Sequence, residues 1–221
     1  MILSESIYQP IDGVAEILVA RNPKNSSTAF SLRDGSICIY SPLPKLKKTE
    51  LESLVANLDV SFFIAPNHYH HKGLHDHVEL FKDATVVCSA NAKPRLEKQT
   101  ALKFQPLDQL ASAIPSSIEI IEPQGLKTGE VWLRISLNDE VILVVTDAFC
   151  APDAPQGEFA NRPDILKPFP KFGIGDANLF KTSALEIIDE RPPTILIPCH
   201  GAPVKNKSLA DDLKALLEKR I

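Results

Sequence analysis

With 221 residues, 44% of them hydrophobic and 24% charged, the chain can bury a large core beneath an ordinary polar surface. A formal net charge of −4 argues against a nucleic-acid partner, since the densest cationic run is only Lys45-Leu46-Lys47-Lys48. No stretch approaches the ~20 apolar residues of a membrane span, and Met1 to Gly13 carries Glu5 and Asp12 where a leader would be basic and then apolar, so a cytoplasmic location without a signal peptide is expected.

Val14 to Val19, Ser27 to Leu32 and Ser36 to Tyr40 read as strands, with Asp34-Gly35 marking a tight hairpin between the last two. Ser41-Pro42-Leu43-Pro44 breaks the sheet. Thr49 to Leu58 follows as an amphipathic helix, Leu51, Leu54, Val55 and Leu58 on one face and Thr49 as its cap. Val60 to Ala65 is a continuous apolar run, the mark of a strand buried on both faces. A helix over Leu74 to Phe81, a strand over Ala84 to Ser89 and a helix over Ala92 to Lys98 complete an alternation that predicts parallel pairing.

The second half begins again with strands. Ile118 to Ile121, Glu130 to Leu137 and Glu140 to Thr146 form a meander that turns at Asn138-Asp139. Ala151 to Gly175 is rich in Pro and Gly and lacks periodicity. Ala177 to Asp189 is a helix whose buried side takes Leu179, Phe180, Leu185 and Ile188; a buried strand, Thr194 to Pro198, and a closing helix, Leu209 to Lys219, follow. Strands then α/β, twice over, predict a single α/β domain spanning 1–221. Its architecture is a four-layer αββα sandwich of two mixed sheets with helices outside.

Five of the six histidines fall within ten residues, at 68, 70, 71, 75 and 77. His68 and His70 follow Val60 to Ala65, at the strand end where open α/β sheets place ligands. An H-x-H pair in an extended segment points both rings to one side, a geometry suited to one cation. Asp147 ends the strand Val141 to Thr146 in the same way, and His200, followed by Gly201, ends Thr194 to Pro198. Polar residues closing apolar strands are costly to bury unless paired or liganded.

Asn67-His68-Tyr69-His70-His71-Lys72-Gly73, Gly125-Leu126-Lys127-Thr128-Gly129, Thr146-Asp147 and Pro198-Cys199-His200-Gly201 match in order and spacing the metal-binding signature of the metallo-β-lactamase superfamily, which the chain resembles over nearly its whole length. Asp34-Gly35-Ser36, Ser41-Pro42 and the Pro66-to-His71 element resemble a divergent bacterial branch, the DUF4336-like group. Lys72 and Gly73 stand where the family has Asp and His, and Leu126 where it has the middle His. Carried over residue by residue, the resemblance implies the ligand set His68, His70, Asp147 and His200. Lys72 would oppose a cation at the second position on Coulomb grounds.

Two readings follow. In the first, the chain is a divergent hydrolase with at most one ion (Zn, Fe or Mn) on His68, His70 and Asp147. His200 is then a fourth ligand or the general acid/base, and Ala151 to Gly175 acts as a lid over the substrate. The resemblance implies hydrolysis of an ester, thioester, amide or phosphoester. In the second, the chain is a metal-free binding or interaction protein that retains the scaffold, and Asp147 forms a salt bridge with Lys72.

The remaining candidates read as structural. His71 and His75 share a helix face and are solvated; Asp76 and His77 are surface; Tyr69 and Trp132 are core. Cys38, Cys88, Cys150 and Cys199, lacking any CxxC pair, are reduced small hydrophobes, with Cys150 and Cys199 near enough to Asp147 and His200 to serve as thiolate ligands. Arg162, Lys167 and Lys171 could face an anionic substrate. Gly173-Ile174-Gly175 lacks the spacing of a dinucleotide loop, and neither a nucleophile elbow nor a P-loop is present.

Overall fold

The computed structural model describes residues 7–221 and divides into two compact units, Met1–Pro115 and Ser116–Ile221. Residues 1–6, on which the leader reading partly falls, and the side chain of Val55 lie outside the described residues.

The first unit runs β1 (Gln9–Ile11), β2 (Val14–Arg21), β3 (Ser26–Ser31), β4 (Ile37–Tyr40), α1 (Lys48–Asn57), β5 (Val60–Ile64), α2 (Leu74–Leu80), β6 (Thr85–Cys88), α3 (Lys93–Thr100), β7 (Gln105–Pro106) and α4 (Leu107–Ala111). Its seven strands are ordered β1-β2-β3-β4-β5-β6-β7. The β1–β4 pairs are antiparallel and the β4–β7 pairs parallel, so β5 ends beside β4 and β6. The hairpin at Asp34-Gly35 forms as expected, with Gly35 at φ +87° and the Asp34 carboxylate accepting from Ser36. Helix α1 starts one residue before the expected Thr49. Lys47 caps it, its backbone N–H donating to Glu50 Oε2 at 2.6 Å, because that carboxylate lies within reach of the open first turn.

The second unit runs β8 (Ile118–Ile121), β9 (Trp132–Leu137), β10 (Glu140–Val145), α5 (Phe169–Phe172), α6 (Ala177–Glu190), β11 (Ile195–Pro198), β12 (Val204–Lys205) and α7 (Leu209–Arg220). Its sheet is ordered β12-β11-β10-β9-β8, with only β10 and β11 parallel. A core of Trp132, Phe149, Phe169 and Phe180 fills the space under α6 and α7 with edge-on and tilted rings. Side chains of that size contribute on the order of 2–3 kcal/mol each when fully buried. Leu179 does not join them. It is 48% exposed, and Phe180, Ala184 and Ile188 form the buried stripe of α6.

The segment from Ala151 to Gly175 is not a free lid. Ala160, Ile165, Phe169 and Ile174 are buried in the second unit's core, and bridges join Cys150 to Asp164, Ala160 to Val204 and Leu126 to Ile174. Exposure concentrates at Pro152 to Glu158. Among the described residues no helix is long and apolar enough to cross a membrane.

Candidate metal centre

In the first unit, the chain leaves β5 through Asn67, which is buried and whose Oδ1 accepts the backbone N–H groups of Tyr69 (2.8 Å) and His70 (3.2 Å). An Asx turn therefore replaces the extended segment expected for the H-x-H pair, because the Asn side chain supplies the acceptor that a neighbouring strand would otherwise provide. The two imidazoles consequently acquire different partners. His70 Nδ1 lies 2.8 Å from Ser41 Oγ, whereas His68 Nε2 lies 3.2 Å from Arg95 Nη1. A guanidinium only donates, so His68 Nε2 accepts and the ring carries its proton on Nδ1.

Ser41 is itself unusual. It follows β4 at φ 55°, a left-handed conformation for a non-glycine residue, and its N–H is pinned to Ile64 O at 3.0 Å. This strain is maintained at the point where the hydroxyl meets His70.

Three expectations about this segment change, and one position proves closed. Tyr69 is 37% exposed, not core, because it stacks edge-on to His68 (4.4 Å) and takes Arg95 over its face (4.8 Å). His77 is fully buried, not surface. Its Nδ1 meets Gly73 O at 2.8 Å, its ring packs edge-on to Phe63, and Nε2 has no partner. His71 lies in the turn before α2, so it does not share a helix face with His75. Burial, then Lys72, His70, His75 and Arg95 hold the His71 pKa below 6.5. Finally, Gly73 has room for nothing larger, since a Cβ there would lie 2.1 Å from Pro42 O. The position that holds a histidine in the family signature is closed by backbone.

In the second unit, the parallel register Val145↔Pro198 brings the ends of β10 and β11 side by side. Two residues beyond each end, Asp147 Oδ1 and His200 Nε2 meet at 3.0 Å. Asp147 is 3% exposed. Gly201 turns the chain at φ +100° where Ala151 O would lie 1.9 Å from any Cβ, and Ala151 N–H donates to His200 O at 3.0 Å. The tightness of that turn fixes where the imidazole emerges.

Sequence reasoning missed Glu130. Its carboxylate is 1% exposed and accepts Trp132 Nε1–H (2.9 Å) and the backbone N–H groups of Thr146 (3.3 Å), Asp147 (3.3 Å) and Ala148 (3.2 Å). Burial, and next the charge of Asp147, push its pKa up to about 7 against those bonds. A charged residue between Gly129 and the apolar Val131-Trp132 was the available signal. Leu126 is buried at the place of the family's middle histidine. Cys150 is a poor thiolate, because burial and Asp164 raise its pKa to about 11. None of the four cysteines forms a disulfide.

No family model and no curated protein matches the chain. Solved structures do. A diflavin flavoprotein A 5 fragment from Nostoc aligns over 96% of this chain and 95% of its own, with TM-score 0.66 and 16% identity. A metallo-β-lactamase from Pontibacter korlensis aligns over 96% and 93%, with TM-score 0.58 and 14% identity. The chain has the metallo-β-lactamase fold. The flavodiiron protein of Giardia intestinalis extends the likeness (TM-score 0.63, 12% identity, 96% of this chain), this metallo-β-lactamase-like chain spanning 59% of it. At such identities the likeness concerns the fold: two mixed sheets with helices, as the alternation of elements predicts.

Proposed function

We propose that this chain is a divergent metal-dependent hydrolase that holds at most one ion through His70, Asp147 and His200. The observation that carries this reading is the 3.0 Å pairing of Asp147 with His200 beside the buried Glu130 carboxylate. Two neighbouring buried carboxylates concentrate negative charge that a divalent cation would offset. The donor chemistry fits. Two imidazoles and a carboxylate suit Zn, Fe or Mn. Ser41 on His70 Nδ1 sets the ring so that Nε2 is the nitrogen offered. His68 joins the set only on releasing Arg95.

When bound, such an ion supplies Lewis acidity that brings the pKa of water toward neutrality. The chain's own residues do the rest: Glu130 holds the peptide of Asp147, Asp147 orients His200, and His200 ligates or carries a proton at Nε2. Structures with this fold that are named metallo-β-lactamase or flavodiiron protein support the metal reading. The closed Gly73 position and the apolar Leu126 support a single ion, and Asp34-Gly35-Ser36, Ser41-Pro42 and Pro66 to His71 support a place in the DUF4336-like branch. A cytoplasmic location belongs to the same proposal.

The rival reading, a metal-free binding protein on the same scaffold, draws on the fact that Asp147 and His200 already satisfy each other. Elemental analysis decides. After growth with Zn, Mn and Fe and after reconstitution, the hydrolase reading expects close to one equivalent of one metal. Less than about a tenth of an equivalent would leave the metal-free reading standing.

A further inference from the structure

Arg95 projects from α3 and is exposed, yet its guanidinium is held on one side. Nη1 donates to His68 Nε2 at 3.2 Å, and the group sits 4.8 Å from the Tyr69 ring centroid. Neither partner neutralises it, since a neutral imidazole and an aromatic face carry no net charge. Several other cations do meet acids: Arg134 pairs with Glu119 and Glu190, Lys205 with Glu140, and Lys214 with Asp189 and Asp211. Among the described residues Arg95 and Lys72 have no carboxylate within ion-pair distance.

The surroundings share the sign. Lys72 and Arg95, the two permanent charges here, both act on His71, whereas Asp76, on the flanking helix α2, acts on His77. The turn Asn67 to Lys72 and the first turn of α3 thus form a positive, aromatic-backed surface within the first unit.

We infer that Arg95, supported by Lys72, seats an oxyanion group of the molecule this protein acts on, either a phosphate or a carboxylate. A guanidinium presents forked N–H donors that match both. The Tyr69 face and the His68 acceptor order the side chain beforehand, so less rotamer freedom is lost on binding. Lys72 lies on the turn that carries His68 and His70, and Arg95 reaches His68 from α3, which places anion recognition next to the proposed reaction. As an assignment of substrate class, the inference rests on the hydrolase reading; as a binding site it does not.

The test uses the full chain treated with chelator, so that phosphate cannot bind through an ion. Inorganic phosphate and acetate are titrated separately while the histidine ring protons are followed by NMR, with folding of each variant checked by circular dichroism. The expected result is saturable binding of at least one anion that shifts the His68 resonance. In Arg95→Gln the affinity should fall about tenfold, with partial recovery in Arg95→Lys and a smaller loss in Lys72→Ala. Preference for phosphate would indicate a phosphoester substrate and preference for acetate a carboxylate-bearing one. Either supports the site. No saturable binding, or equal affinity in folded Arg95→Gln, overturns it. Arg95-dependent binding by a protein that takes up no metal would keep the anion site and remove the hydrolase.

Discussion

The backbone N–H of Asp147 points at Glu130 Oε2 from 3.3 Å, so one buried carboxylate holds the peptide from which another projects. Oε1 meanwhile takes Trp132, Thr146 and Ala148. Replacing Glu130 with Ala strands four buried donors, at a cost of about 3 kcal/mol or more. Glu130→Gln keeps an acceptor for three of them and turns its amide toward the Asp147 N–H, for a loss of about 2 kcal/mol. Urea unfolding with both variants checks this order. An unchanged midpoint in Glu130→Ala would show that these bonds are not stabilising.

Ser41 separates strain from ligand orientation. Removing its hydroxyl should weaken metal affinity about 10- to 100-fold, whether the replacement is Ala or Gly, because both free His70 Nδ1. Stability should split the two variants. Gly accepts φ 55° without penalty, so Ser41→Gly should be more stable than Ser41→Ala by roughly 1 kcal/mol. Metal titration and thermal unfolding together read both effects, and equal stability would remove the strain argument.

Two glycines face backbone atoms that cannot step aside. A Cβ at Gly73 meets Pro42 O at 2.1 Å, and one at Gly201 meets Ala151 O at 1.9 Å. Each Gly→Ala change should therefore destabilise by about 3 kcal/mol or more, beyond the usual range of a surface substitution. Lys72→Asp combined with Gly73→His restores the family's residue types but should unfold the first unit instead of gaining a second metal. A folded double variant with two equivalents of zinc would contradict the packing.

His77 should make the fold acid-sensitive. Burial lowers its pKa below 6.5, against the opposing effects of Gly73 O and Asp76. As pH falls, the unfolded chain binds the proton first, so the stability linked to His77 is present above about 6.5 and is lost from there down through the folded value. His77→Phe removes the titration and also the unpartnered Nε2. Denaturation midpoints measured between about pH 7.5 and 5 should fall more steeply for the parent than for this variant. Parallel slopes would assign the acid sensitivity to other groups.

Long periodic segments were legible from residues alone. Helices α2, α6 and α7 fall within a residue or two of their patterns. The elements that escaped (β1, β7, β12, α4 and α5) run two to five residues, too short for a period to repeat. The apparent looseness of Ala151 to Gly175 had the same origin. Its anchors, Ala160, Ile165, Phe169 and Ile174, are irregularly spaced and acquire meaning only against the core they enter.

Composition, strand-end placement and residue order determined the α/β class, the hairpin at Asp34-Gly35 and the candidates His68, His70, Asp147 and His200, because these depend on local periodicity and on chemistry carried by single residues. Tertiary structure alone decided that Glu130 would brace Asp147, that Ser41 would meet His70, and that Arg95 would engage His68 from 27 positions away. Those partners come from different elements, and no local pattern encodes which side chains two distant segments will bring within a hydrogen bond's length.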